Sequence, residues 1–133
     1  YDSHELATED LRENDELEWD GEDYTDVEAI IIAAFLKDNK ELTRLDLARN
    51  SIADAGAIAL AAALRENTTL EYLNLESNVV AEKGGKALCE AVAVNSTLSY
   101  LNVKDAAFSI GVQQELRDLW TNGRNGSNLG LHL

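Results

Sequence analysis

Methionine is absent from this chain, cysteine occurs once, and basic residues are few. Without a methionine, Tyr1 is not an initiator position, so an upstream segment, together with any targeting signal in it, is expected. The single cysteine, Cys89, makes no internal disulfide, which favours a reducing compartment such as the cytoplasm. It sits one sequence repeat after Ala61, so a small apolar core residue is expected there rather than a reactive thiol. No apolar stretch approaches the ~18 residues of a membrane span. The longest, residues 29–36, is bounded by charge, and no secretory signal opens the chain.

The shortage of cations excludes nucleic-acid binding, because no basic patch exists to neutralise phosphates. Eleven Lys and Arg face 25 Asp and Glu, for a net charge of −14. The imbalance is local. Residues 1–28 hold 13 acids and one arginine, whereas residues 29–133 come to −2. Such an acidic segment, Glu9 to Asp26, either steers a basic partner surface or is a solvated leader.

What the chain does have is an internal repeat. Leu42-Thr43-Arg44-Leu45-Asp46-Leu47-Ala48-Arg49-Asn50 lies over Leu70-Glu71-Tyr72-Leu73-Asn74-Leu75-Glu76-Ser77-Asn78, 28 residues on. A further 28 residues bring Leu98-Ser99-Tyr100-Leu101-Asn102-Val103-Lys104-Asp105-Ala106. Going backwards, Leu17 and Trp19 fall beneath Leu45 and Leu47, while the echo of Leu64-Arg65-Glu66-Asn67 in Leu11-Arg12-Glu13-Asn14 argues for a shorter first unit. Going forwards, Leu129 and Leu131 are expected to match Leu101 and Val103.

Each unit reads as strand, turn, helix, turn. Leu-x-Leu alternates at strand period, and the following apolar sets recur at helical spacing. These sets are Ala29, Ile32, Ala33 and Leu36; Ala57, Leu60, Ala61 and Leu64; Gly85, Leu88, Cys89 and Val92. Thr25-Asp26-Val27-Glu28 has the form of a capping box. Asn39, Asn67, Asn95 and Gly123 recur after the helices and are expected to close them in the left-handed conformation. Seven alanines between Ala53 and Ala63 allow close helix packing. Leu6, Ala7 and Leu11 are expected to dock a short helix on the open end of the core. The predicted fold is α/β: a short leucine-rich-repeat solenoid of about four strand–helix units, with a parallel concave sheet, convex helices and a final strand. Residues 1–14 form an acidic leader or cap, and 15–133 the repeat domain, with units near 15–41, 42–69, 70–97 and 98–133.

The 28-residue period and the run from Asn67 to Asn78 resemble the ribonuclease-inhibitor type of leucine-rich repeat. That class includes ribonuclease inhibitor, the Ran GTPase-activating protein, NOD-like receptor sensor regions and the tropomodulin C-terminal domain. Leu73-Asn74-Leu75-Glu76-Ser77-Asn78 is similar to tropomodulin repeats. The resemblance implies a protein-interaction module, a subunit or regulatory arm of a larger assembly, with a protein partner met on the concave face or its rim. GTPase activation, actin capping and membership of an innate-immunity-like receptor are the alternatives it leaves open. Two departures stand out: Ala106 replaces the repeat asparagine, predicting an irregular fourth turn, and the segment Leu119 to Gly126 reads as a degenerate C-terminal cap.

Alternation places three rows across the concave sheet. The first is Glu16, Arg44, Tyr72, Tyr100 and Asn128. Glu18, Asp46, Asn74, Asn102 and Gly130 form the second, and Asp20, Ala48, Glu76, Lys104 and His132 the third. The candidate partner-binding set is Arg44, Asp46, Tyr72, Asn74, Glu76, Tyr100, Asn102 and Lys104. The tyrosine pair is its centre, since exposed tyrosines combine large area with low entropy cost; a cross-strand pair that only steadies the sheet is the competing reading. The asparagines offer amides to a partner backbone or form a structural ladder. The charges offer a site or pair with one another.

No catalytic set, metal or cofactor is expected. Glu16-x-Glu18-x-Asp20-Gly21 covers half of a calcium loop, but Val27 stands where the closing glutamate belongs. His4 and His132 lie at opposite ends, so no zinc set forms. Sequons at Asn67, Asn95 and Asn125 are explained, for the first two, by the repeated helix-end position.

Overall fold

The computed structural model describes residues 8–124, 126–127 and 129–133. In chain order the elements are α1 (Asp10–Glu13), β1 (Glu16–Glu18), α2 (Asp26–Leu36), β2 (Arg44–Asp46), α3 (Asp54–Leu64), β3 (Tyr72–Asn74), α4 (Glu82–Val94), β4 (Tyr100–Asn102), α5 (Ile110–Asn122) and β5 (Leu131–His132). The strands form one parallel sheet in sequential order. A strand–helix unit has only one apolar side, so stacking buries all of them in one core between sheet and helices. Leu45, Leu73 and Leu101 on the strands and Ile32, Leu60, Leu88 and Leu116 on the helices are wholly buried.

The register follows the 28-residue period through the first four strands: Leu17 pairs with Leu45, Leu45 with Leu73, and Leu73 with Leu101. The first unit is therefore not shortened: β1 lies a full 28 residues before β2, and α2 has the same eleven residues as α3, while the four-residue α1, with Leu11 fully buried, precedes β1. Leu6 and Ala7 lie outside the described residues.

The last strand breaks the period. Leu131, not Leu129, pairs with Leu101, and His132 pairs with Asn102. The connection from α5 carries two additional residues, which move His132 from the third concave row to the second. Leu129, expected in the core, is 82% exposed. Gly130 then passes the Ser99 carbonyl at φ +84°, and a Cβ there would run into that oxygen. Trp120 fills the end of the core, its indole N–H donating to Leu129 O at 3.1 Å. The Arg124 guanidinium stacks 3.7 Å from the Trp120 ring and donates to Leu98 O. Burial lowers the Arg124 pKa.

Three side-chain ladders join the repeats. The first closes the turn after each strand, where Gly21, Arg49, Ser77 and Asp105 all have φ between 54° and 70°. Asn50 donates to Leu47 O and Trp19 O and accepts from Tyr24 N. Asn78 repeats the pattern, with donation to Leu75 O and Leu47 O. Ala106 removes the rung but not the turn: Asp105 keeps φ 65°, and Ala106 N donates to Val103 O.

The second ladder corrects the expected role of the helix-end residues. Asn95 and Gly123 are the C-caps of α4 and α5, but none of Asn39, Asn67, Asn95 or Gly123 is left-handed. Instead Asn67 donates to Leu36 O and Asn39 O of the preceding unit and accepts from Thr69 N and Leu70 N of its own. Asn95 does the same one repeat on. Both are buried, which closes these sequons in the folded state; Asn125 is outside the described residues. Asparagine suits this position because one amide both donates and accepts.

The third ladder caps helices across repeats. Thr25 and Glu28 form the expected capping box, but the N-caps of α3 and α4 are Ala53 and Ala81, with no side-chain bond of their own. Asp26 reaches forward to Ala53 N and Gly56 N, and Asp54 to Ala81 N and Gly84 N. Carboxylates at helix N-termini are favoured by the exposed N–H groups and the dipole. Close helix contact at this end depends on glycine: a Cβ on Gly84 would stand 2.6 Å from Val80 Cγ1. Cys89 lies in the core, where burial raises its pKa from 9.0 to about 11.

Candidate concave-face site

Each of the three central strands is three residues long, with a wholly buried leucine at its centre and a second apolar residue just past its end. The residues between and beside those leucines make the concave surface. Parallel register sets Arg44 beside Tyr72 and Tyr72 beside Tyr100, and the three side chains pack as a column. The tyrosine rings are stacked, with centroids 4.1 Å apart and planes 6° from parallel. The Arg44 guanidinium covers the outer face of Tyr72 at 3.5 Å. On the far side His132 lies against Tyr100 at 4.8 Å, tilted by 40°. The column is held at its N-terminal end by Glu18, whose carboxylate accepts from Arg44 Nε at 2.7 Å.

The ring faces are therefore used inside the column, and the Tyr100 hydroxyl accepts from Asn102 Nδ2 at 3.4 Å. An aromatic stack with a cation over one end is a stiff platform, since each member limits the rotamers of the next. The hydrogen bond to Glu18 raises the Arg44 pKa, and burial, followed by the Tyr100 hydroxyl, raises that of Tyr72.

The second row is quieter than its position promised. Asp46, Asn74 and Asn102 are each at most 8% exposed. Their side-chain oxygens accept from Ala48 N, Glu76 N and Lys104 N, closing the end of each strand. Asn74 also donates to Asp46 at 3.3 Å, and Asn102 to Glu76 at 3.3 Å. Burial raises the Asp46 pKa, opposed by the Ala48 N–H. In the third row Ala48 is covered, Glu76 is half-buried and Lys104 is exposed. Arg49 pairs with Asp20 on the rim, and that hydrogen bond lowers the Asp20 pKa. Asn128, assigned to the first row, is outside the described residues.

Of the eight candidate residues, Arg44, Tyr72 and Tyr100 thus come together as one unit, and Glu76 and Lys104 flank it. Asp46, Asn74 and Asn102 support the surface from beneath. The period had set Glu18 in the second concave row and His132 in the third, both outside the candidate set. The contact of His132 with Tyr100 was not legible, because the two-residue insertion before β5 has no signature in the repeat.

The family model described as the TMOD/LMOD leucine-rich domain matches residues 22–125. Among solved structures, "Leiomodin-1 Actin-Binding Site 2 (ABS2)" is similar with a TM-score of 0.80 and 26% identity, covering 94% of this chain and 76% of that one. The tropomodulin C-terminal domain of Caenorhabditis elegans shares the fold, with a TM-score of 0.56 and 14% identity over 88% of this chain and 90% of that one. No curated protein sequence matches significantly. No helix among the described residues is long and apolar enough to cross a membrane.

Proposed function

Since the chain belongs to the TMOD/LMOD leucine-rich-domain family, we propose that this protein-binding repeat module takes actin as its partner and meets it on the concave face. Its work on this reading is binding, not catalysis. The partner is supported by the similarity to the actin-binding site 2 of leiomodin-1 across nearly the whole chain. The surface is supported by the column of Arg44, Tyr72, Tyr100 and His132. Rigid aromatic and arginine side chains are the groups that most often carry interface energy, because they bury large area at small entropic cost. Glu76 and Lys104 sit at the edge of this platform and contribute orientation more than affinity.

Two assays test the parts separately. Co-sedimentation with filamentous actin, together with pointed-end elongation in the presence of the chain, tests the partner. The Tyr72→Ala, Tyr100→Ala double variant tests the surface. It is expected to keep its circular dichroism spectrum and to bind at least ~10-fold more weakly. Absence of any actin interaction by the unmodified chain removes the partner; unchanged binding by the folded double variant removes the concave face.

A further inference from the structure

We propose that the cavity beside the turn at Asp105 is a carboxamide-binding site, which takes an asparagine side chain of the protein partner that seats on the concave face. The cavity measures about 230 Å³ and is lined by Val103, Asp105, Ala106, Phe108, Gln113 and Leu133. Leu133 directly follows His132, the end member of the aromatic column, so the column and the cavity are neighbours on the sheet.

The fold shows twice what such a place holds. Asn50 donates to Trp19 O at 2.9 Å and accepts from Tyr24 N at 2.9 Å. Asn78 repeats this one unit on, donating to Leu47 O and accepting from Ile52 N, both at 2.9 Å. Each carbonyl and N–H pair belongs to one unit, and the asparagine that bridges it comes from the next. Carried on by the period, the pair becomes Leu75 O with Val80 N, and then Val103 O with Phe108 N. At the first of these Ala106 stands at the asparagine's place, and Val80 is 1% exposed, so the position is closed over. The second opens into the cavity, for Val103 and Phe108 are two of its walls.

The turn around the cavity is built like its predecessors. Asp105 has φ 65°, where Arg49 and Ser77 have 54° and 56°. Ala107 N donates to Val80 O at 2.8 Å, as Val79 N does to Ile52 O at 2.9 Å. The Phe108 N–H therefore takes the direction of its counterparts at Tyr24 and Ile52. It has no acceptor among the described residues, although Phe108 is only 6% exposed. A buried N–H without a partner is costly, so a ligand that accepts from it is favoured. Chemistry then selects the carboxamide, because one such group both accepts and donates. Val103 O, which accepts from Ala106 N at 3.2 Å, has a second lone pair for the donor. A carboxylate has no proton for that carbonyl and would lie beside Asp105. An ammonium has no acceptor for Phe108 N.

The probe is a blocked synthetic peptide with the sequence of residues 75–80 of this chain, Leu-Glu-Ser-Asn-Val-Val. Added at millimolar concentration to the isotope-enriched chain, it is expected to move the Phe108 amide proton downfield, saturably. Its Asn78→Ala and Asn78→Asp forms are expected to bind at least ~10-fold more weakly. In the chain, Gln113→Phe narrows the cavity from the α5 side and is expected to remove the shift with an unchanged circular dichroism spectrum. A Phe108 amide that does not move, equal shifts from the asparagine and alanine peptides, or a shift that survives Gln113→Phe each overturns the proposal. A second arm joins the sequence of residues 76–80 after Leu133. A Phe108 shift from the joined segment, with none from the separate peptide, assigns the cavity to the same polypeptide and overturns a partner's asparagine. The link to the column rests on the concave-face reading, whereas the peptide experiments use no actin and stand apart from it. In a chain that binds filamentous actin, Gln113→Phe is expected to weaken co-sedimentation several-fold, and unchanged binding overturns that link.

Discussion

Truncating Asn67 to alanine isolates the contribution of one ladder rung. The Asn67 side chain is 2% exposed and makes four bonds: donation to Leu36 O at 2.7 Å and Asn39 O at 3.1 Å, and acceptance from Thr69 N at 2.9 Å and Leu70 N at 2.7 Å. Alanine leaves two N–H groups without their acceptor, each costing about 1–3 kcal/mol when buried. The two carbonyls lose one partner each, a smaller cost because a carbonyl has a second lone pair to satisfy elsewhere. The expected loss is on the order of 3–5 kcal/mol, or a fall in melting temperature of ~10–20 °C for a chain of this size. Asn39→Ala is the internal comparison. Among the described residues its amide donates only to Leu11 O; it accepts from Glu41 N and Leu42 N and is half-buried, so water replaces part of what is lost and the expected cost is ~1–2 kcal/mol. Urea unfolding followed by circular dichroism measures both, with the slope compared to verify that the unfolded state has not changed. A cost below ~1 kcal/mol for Asn67→Ala, or equal costs for the two variants, would refute the argument that the buried rung joins the repeats.

Gly130→Ala is expected to release the last strand, because the new Cβ meets the Ser99 carbonyl at positive φ; hydrogen exchange should then accelerate at Leu101 and Val103, whose N–H groups donate to Gly130 O and His132 O. Gly84→Ala is expected to destabilise by ~1–3 kcal/mol through overpacking against Val80 and Asp54, read as a lower urea midpoint. Cys89, with a folded pKa of about 11 against 9.0, favours the neutral thiol in the fold. Its contribution to stability is therefore complete below pH 9 and is lost as pH rises toward 11. Thiol titration at pH 8 should be slow in the native chain and immediate in denaturant, and fast native labelling would contradict the buried placement.

Legibility in the sequence followed periodicity. Leu45, Leu73 and Leu101 were placed correctly because a leucine every 28 residues has no other physical use than to face a shared core. The capping box at Thr25 was legible because it is local. Asn95 does cap α4, but the left-handed conformation assigned to Asn39, Asn67 and Asn95 was not correct: asparagine is suited both to positive φ and to a buried amide rung, and sequence position alone does not separate the two. The forward caps from Asp26 and Asp54 were illegible for another reason, since each bonds to backbone 27 to 30 residues away.

The repeat itself, and with it the concave row of Arg44, Tyr72 and Tyr100, was determined by sequence alone, because the spacing of apolar residues leaves one way to stack the units. Tertiary structure decided what that row is made of. It closed Arg44, Tyr72, Tyr100 and His132 into one column, sank Asp46, Asn74 and Asn102 beneath the surface, and shifted the last strand by two residues. The reason is the same in each case. Period specifies which residues are neighbours, whereas ring stacking, side-chain burial and the length of a non-repeating loop depend on distances that only the folded chain defines.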